Sequence, residues 1–184
     1  MRDKIKTKLG NIPYELKLFF AVIFLFGIGG SMVDAVFNKF LSEKLLLNGF
    51  QRSVIEFPRE IPGFLTAFIS AILFFLYSRR VAAVTFLLQS VGIICMALFS
   101  VNFAVTMIWL FIFSMGQHLF IPLNSSIAME LAKDNEMGKR LGQVNGIKNT
   151  AVIIGGAVVF IGFKYINFSF KITFIIAGVI FVVS

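Results

Sequence analysis

Apolar residues in this chain come in runs far longer than a soluble core needs, and without the every-other-residue alternation of a half-buried strand. Five runs reach the roughly 20 residues required to cross about 30 Å of hydrocarbon as a helix. They predict helices at about Leu16 to Leu41, Ser53 to Tyr77, Val81 to Val101, Asn102 to Leu131 and Leu141 to Phe163. Helix is the expected form because lipid leaves no water to satisfy backbone N–H and C=O groups, so each segment must satisfy its own. A sixth run starts near Phe170 and has only 15 residues before Ser184, or about 22 Å at 1.5 Å per residue. The expectation is therefore a piece of a longer protein, with its last helix cut short.

The polar positions inside these runs repeat with helical spacing. Helix 1 carries Gly27, Ser31, Asp34 and Asn38 on one face, and helix 2 carries Arg52, Glu56, Arg59 and Gly63, continued by Thr66, Ala67 and Ser70. Helix 4 has Ser114, Gln117, His118, Ile121, Asn124, Ser125 and Ala128, while helix 5 has Gln143, Asn145, Lys148 and Asn149, with Gly142 and Gly146 spaced as a GxxxG packing motif. A charge turned to lipid at mid-depth costs about 2.5 to 3.5 kcal/mol. These stripes are expected to face other helices or a water-filled cavity, leaving the Phe, Leu and Ile faces to lipid.

Composition agrees: 58% of residues are hydrophobic, 24 are phenylalanine, and the mean hydropathy is +0.91. This is the profile of an integral membrane protein. Helix 1 is too long for a cleaved signal and lacks a small-residue cleavage site, so it stays in the membrane. The net charge of +8 is scattered over short loops instead of one soluble face, which argues against nucleic acid as a partner. It fits the positive-inside rule. With the N-terminus cytoplasmic, the inner side holds nine basic residues (Arg2, Lys4, Lys6, Lys8, Arg79, Arg80, Lys133, Lys139, Arg140) and the outer side five (Lys39, Lys44, Arg52, Lys164, Lys171). The localisation expected is a multi-pass protein of the plasma or inner membrane. A lone Cys95 excludes a disulfide framework, and no Cys/His spacing suggests a metal or cofactor.

The chain also resembles itself. An offset of 88 residues lays "VTFLLQSV" (Val84 to Val91) on "ITFIIAGV" (Ile172 to Val179), Tyr77 on Tyr165 and Arg52 on Arg140; an offset of 87 lays Gly29 on Gly116 and Glu43 on Glu130. Two units follow, about 12–101 and 102–184, within one bundle spanning 1–184. Three helices per unit is odd, so the second enters the membrane from the opposite side. The fold class predicted is an all-α membrane protein of six helices in a 3+3 inverted-topology repeat.

Six helices as three plus three, a short basic turn "YSRRV" and a longer charged loop "AKDNEMGKRLG" resemble the N-terminal half of a major facilitator superfamily transporter. The resemblance implies a protein of about twelve helices whose C-terminal half is a partner of this one. Arg79, Arg80 and Arg140 would then form a cytoplasmic gate. The helix 2 to 3 turn keeps only Arg79 and Arg80 of the family's usual glycine, aspartate and basic residues. Helix 4 lacks the early arginine of many members, and helix 5 has Gly155 and Gly156 without the proline of drug antiporters.

The charged stretch "VIEFPREIPGF", Val54 to Phe64, admits more than one reading. Ser53 and Glu56 have capping-box spacing, in which Glu56 only closes the first turn of helix 2. Arg59 lies between Glu56 and Glu60, either as a static bridge or as a transport group. Pro58 can start the helix, while Pro62 lies inside it and predicts a kink. Asp34, just past Gly27, Gly29 and Gly30, is either paired with Arg59 or Lys39 or able to bind and release a proton as its surroundings dry and wet. His118 serves either packing or contact with substrate and proton. Gln117 and Asn124 suit solute recognition, because neutral amides exchange hydrogen bonds at modest cost. Lys148 either snorkels back to the cytoplasmic end or faces the cavity, where it could hold an anionic substrate or pair with Glu130.

Two classes of function follow. In the first, a secondary transporter moves a small organic solute by alternating access, coupled to protons or another ion. Helices 1, 2, 4 and 5 line the cavity through Asp34, Asn38, Glu56, Arg59, Glu60, Gln117, His118, Asn124, Lys148 and Asn149. In the second, the chain is an intramembrane enzyme or a non-transporting subunit. A serine hydrolase is disfavoured because Ser125 and Ser126 lie seven and eight residues from His118, roughly 10 to 12 Å along one helix axis. The expectation is a transporter and no enzyme.

Overall fold

A computed structural model describes residues 13–73 and 78–184, apart from the side chains at positions 67, 70–73, 78 and 79. Arg2, Lys4, Lys6, Lys8 and Tyr77 lie outside the described residues, as do the side chains of Ala67, Ser70 and Arg79. The described chain forms six helices: α1 (Tyr14–Glu43), α2 (Gly49–Leu73), α3 (Ser78–Phe99), α4 (Phe103–Glu130), α5 (Met137–Tyr165) and α6 (Phe170–Val182). Among them α1, α4, α5 and residues 80–99 of α3 are long and apolar enough to cross a membrane. Five such spans are predicted above. The fifth, α2, carries Arg52, Glu56, Arg59 and Glu60 in its first half, and α6 is apolar but short.

Capping explains where several helices begin. The Asn102 side chain accepts from the Val105 N–H and starts α4, and Ser169 does the same for Ile172 in α6. For α2 the sequence suggests Ser53 and Glu56, but the box is formed by Asn48 and Gln51. The Asn48 N–H donates to Gln51 Oε1 at 3.0 Å, and the Gln51 N–H to Asn48 Oδ1 at 2.9 Å. Ser53 sits inside the helix, its hydroxyl donating to the Gly49 carbonyl. Starting four residues earlier puts both Pro58 and Pro62 inside α2, so Pro58 does not start it. The helix α5 also begins four residues earlier than predicted, which takes Arg140 out of the loop and onto its first turn. Lys139 donates to Glu136 Oε1 at 2.7 Å; that hydrogen bond and the ammonium charge hold the Glu136 carboxyl below the usual carboxylate range.

Helices pack mainly as α3 on α4, α1 on α5, α3 on α6, α2 on α4 and α1 on α6, with slighter contact of α4 with α5 and α1 with α2. Lipid tails are as apolar as leucine, so in a membrane such pairs hold by close fit, which small residues allow. The α1–α5 crossing is notched from both sides. A Cβ on Gly27 would lie 2.7 Å from the Ala151 Cβ, and one on Gly155 would meet the Ser31 hydroxyl and the Ile28 carbonyl. The α3–α4 crossing is built alike: Gly92 receives the Phe113 backbone and Gly116 receives the Thr85 carbonyl and Gln89. The predicted GxxxG pair is not a packing motif. Gly142 and Gly146 face open space, because the α5 face that meets α1 runs through Val144, Ala151 and Gly155 instead.

The middle of the bundle is aromatic. Phe26 of α1 meets Phe120 of α4 at 4.6 Å between ring centroids, Phe86 of α3 at 6.1 Å and Phe181 of α6 at 6.2 Å, and Phe86 meets Phe120 at 4.6 Å. Each such pair adds about 0.5 to 1.5 kcal/mol beyond area burial. Phe64, Phe68, Leu87, Ile108, Ile153 and Phe160 point outward and are exposed, an apolar surface suited to lipid. Where the starts of α1 and α3 meet the ends of α4 and α6, a hollow of about 570 Å³ opens, with Glu15 and Glu130 among its walls.

Candidate functional site

Midway along the bundle, away from that hollow, charged side chains from several helices face one another. Arg59 is the hub. Its guanidinium Nη1 donates to both oxygens of Glu56 at 3.2 and 3.3 Å, Nη2 lies 3.6 Å from Asp34 Oδ1 on α1, and the plane covers the Phe37 ring at 5.4 Å. The partners of Arg59 are thus Glu56 and Asp34, and not the Glu60 that the spacing offered. The remaining Glu60 turns to α4, with Oε2 3.6 Å from His118 Nε2. Lys39 pairs with Glu43 and leaves Asp34 to Arg59.

The main chain of α2 is held from α4 as well. The fully buried Ser114 donates its hydroxyl to the Arg59 carbonyl. One turn further along, the His118 ring fills the gap left by Gly63: a Cβ there would lie 2.9 Å from Nδ1 and 3.0 Å from Cε1. Spacing alone could not find this hydrogen bond, since it joins residues 55 positions apart. The proline ring at 62 denies α2 an amide donor and crowds the preceding turn, and the same turn is where Ser114 and His118 dock.

Lys148 comes from α5. Its ammonium sits over the Phe26 ring at 5.9 Å and within electrostatic reach of Asp34. It therefore neither pairs with Glu130 nor withdraws to the helix end. Ionisable groups from α1, α2, α4 and α5 thus share one region: Asp34, Glu56, Arg59, Glu60, His118 and Lys148. Arg59 and His118 are the shielded members, with 24% and 20% of the side chain exposed, whereas Asp34 and Glu60 are more than half exposed. Asp34 lies nine residues from the end of α1 and Glu60 eleven from the start of α2, which is roughly 14 to 16 Å of helix.

Other predicted members separate from this cluster. The α1 stripe is divided between two jobs: Gly27 and Ser31 are buried against α5, while Asp34 and Asn38 are exposed. On α4, Ser114 and Ala128 are buried, and Gln117, His118, Asn124 and Ser125 are half-buried. The Asn124 Oδ1 is buried without a hydrogen-bond partner. Asn145 and Asn149 are exposed on α5. At the other end Arg80 is exposed, while Arg140 donates to Gln143 Oε1 at 2.9 Å and lies over the Phe20 ring. In α3, Gln89 is fully buried: its Nε2 donates to the Thr85 carbonyl, and its Oε1 has no partner. No grouping of His, Cys, Asp and Glu among the described residues could hold a metal ion.

A cluster of this kind can hold a charged or polar solute, exchange protons with water through a carboxylate or the imidazole, and re-pair its ions when helices shift. No protein family, curated protein or solved structure matches the chain.

Proposed function

We propose that this chain is one six-helix half of a secondary transporter of the major facilitator kind, embedded in the plasma or inner membrane with its N-terminus in the cytoplasm. It moves a small organic solute by alternating access, coupled to protons. The observation that carries the reading is the convergence of Asp34, Arg59, Glu60, His118 and Lys148 from four helices, because charges within a bilayer are costly unless they face one another or a wet cavity. Intramembrane ionisable groups that face one another mark substrate, ion and proton routes, among other functional sites.

The pairing of the helices supports the 3+3 repeat. Exchanging α1, α2 and α3 for α4, α5 and α6 turns the α1–α5 contact into α4–α2, α3–α4 into α6–α1, and α1–α2 into α4–α5, and leaves α3–α6 unchanged. Every substantial contact maps onto another or onto itself. The α1–α6 notch at Gly29 and the α3–α4 notch at Gly116 occupy matching places, 87 residues apart. In this reading α1 and α4 line the cavity, α2 and α5 flank it, and α3 and α6 form the lipid-side support.

The test is flux. Vesicles containing the full-length protein and a pH-reporting dye are offered a panel of small organic solutes under an imposed proton gradient. A solute whose entry dissipates the gradient, with Asp34→Asn breaking the link between the two, supports the reading. Proton and solute movement unaffected by the protein would remove it.

A further inference from the structure

Among the described residues, the other glycine notches at helix crossings are filled by backbone or by groups that do not titrate. Gly27 and Gly155 receive Ala151, Ser31 and main chain; Gly92 and Gly116 receive main chain and Gln89; Gly29 receives Phe181 and Gly178 receives Ile94. At the α2–α4 crossing, Gly63 instead receives an imidazole, and the far nitrogen of that imidazole faces a carboxylate on the same helix that supplies the notch. We propose that His118 and Glu60, seated over Gly63, form a proton-binding joint that fixes how α2 rests on α4.

The chemistry is a single reversible protonation. A proton from water binds His118 Nε2, the resulting imidazolium pairs with the Glu60 carboxylate 3.6 Å away, and on release the proton returns to water. With the ring charged, one ion pair and one ring-in-notch contact hold the two helices together. With it neutral, the ion pair is gone, and only the Ser114 hydrogen bond to the Arg59 carbonyl and the steric fit remain.

The charged surroundings favour one switch instead of several. From α2, Arg59 is already engaged by Glu56 and by Asp34 of α1. From α5, Lys148 lies over Phe26. The α3 helix brings neutral Thr85 and Gln89 to its contact with α4, its described charge being Arg80 at the far end. Glu60 is thus the carboxylate left for His118. The joint's place in a transport cycle rests on the alternating-access reading, in which α2 must move against the cavity-lining α4; its existence does not.

The experiment measures the helix separation directly. Spin labels replace Phe68 on α2 and Ile108 on α4, both exposed, in a Cys95→Ser background of the full chain in lipid nanodiscs. The distance distribution is expected to be narrow at pH 5.5 and to shift or broaden by about 2 Å at pH 8.5, the scale of helix shifts at interfaces. Glu60→Gln and His118→Gln abolish the difference. Gly63→Ala, which drives the ring out of its notch, gives the alkaline distribution at both pH values. Identical distributions at pH 5.5 and 8.5, or a difference that survives both Glu60→Gln and His118→Gln, would overturn the joint. No transported solute is needed. Distances that follow pH without any solute flux sink only the transport reading, and flux with pH-independent distances sinks only the joint.

Discussion

Arg59 on α2 and Asp34 on α1 face each other at 3.6 Å, and the same guanidinium holds Glu56 on its other edge. Two carboxylates thus share one guanidinium, with the Lys148 ammonium as a more distant second cation for Asp34. Removing either acid leaves the arginine a partner, whereas removing the arginine takes from both acids their direct ion-pair partner. Arg59→Ala is expected to lower stability by about 1 to 2 kcal/mol, below the ~3–5 of a fully buried pair because the carboxylates are partly wet. Asp34→Asn should cost less than half of that. Unfolding in mild denaturing detergent measures both, and an Arg59→Ala protein as stable as wild type would show that the cluster does not hold α1 to α2.

The glycines divide into two groups that sequence cannot tell apart. Gly92→Ala and Gly116→Ala push a methyl to within about 2.5 Å of backbone, which forces α3 and α4 apart. Each is expected to lower the melting temperature clearly, by an amount corresponding to about 1 to 3 kcal/mol. Gly142→Ala and Gly146→Ala meet nothing and should be neutral or stabilising by up to about 1 kcal/mol, from the better helix propensity of alanine. A melting curve for each of the four proteins decides it; equal losses across all four would contradict the packing described.

Gln89 is held in the dry α3–α4 crossing with one oxygen unsatisfied. Methionine has a similar length and no acceptor to leave unpaired, and it keeps the chain beside Gly116 filled. Gln89→Met is expected to equal or exceed wild-type stability, by up to about 1 to 3 kcal/mol. A loss of that size in the same melting assay would mean that the amide has a partner which the α3–α4 contact alone does not supply.

The α5 surface offers a test of which side is wet. In a Cys95→Ser background, single cysteines at Asn145 and Asn149 are expected to react with a membrane-impermeant thiol reagent, and those at Ile153 and Phe160 to stay unmodified, though all four positions are exposed. Gel-shift labelling of the protein in vesicles reads the outcome. A cysteine at Ser31, buried against Gly155, should also resist. Equal labelling at all positions would deny α5 a lipid-facing side.

Hydropathy locates α1, α3, α4 and α5, since a run of twenty apolar residues has few other ways to exist, and the expected starts at Asn102 and Phe170 lie within a residue of where α4 and α6 begin. Boundaries next to polar residues were harder. Asn48-x-x-Gln51 and Ser53-x-x-Glu56 both have the spacing of a reciprocal cap, and the extended helix wins because Ser53 can bond the Gly49 carbonyl from inside it. Helical period also gives a face without naming its neighbour. Gly27, Ser31, Asp34 and Asn38 share a stripe, but α5 covers the first two and leaves the last two open. Likewise, Arg59 has an acid three residues before it and another one residue after, and only the position of α1 reveals that its second partner is Asp34.

The contact between Phe26 and Phe181 spans 155 residues of chain. Ribosomes add roughly 5 to 20 residues per second, so the first helix is inserted roughly 8 to 30 seconds before its aromatic partner exists. During synthesis, that side of α1 is left to lipid or to whatever insertion machinery shelters it. Completion of the aromatic centre must therefore wait for α6, and a chain stalled before that helix would present an unfinished seam to quality control.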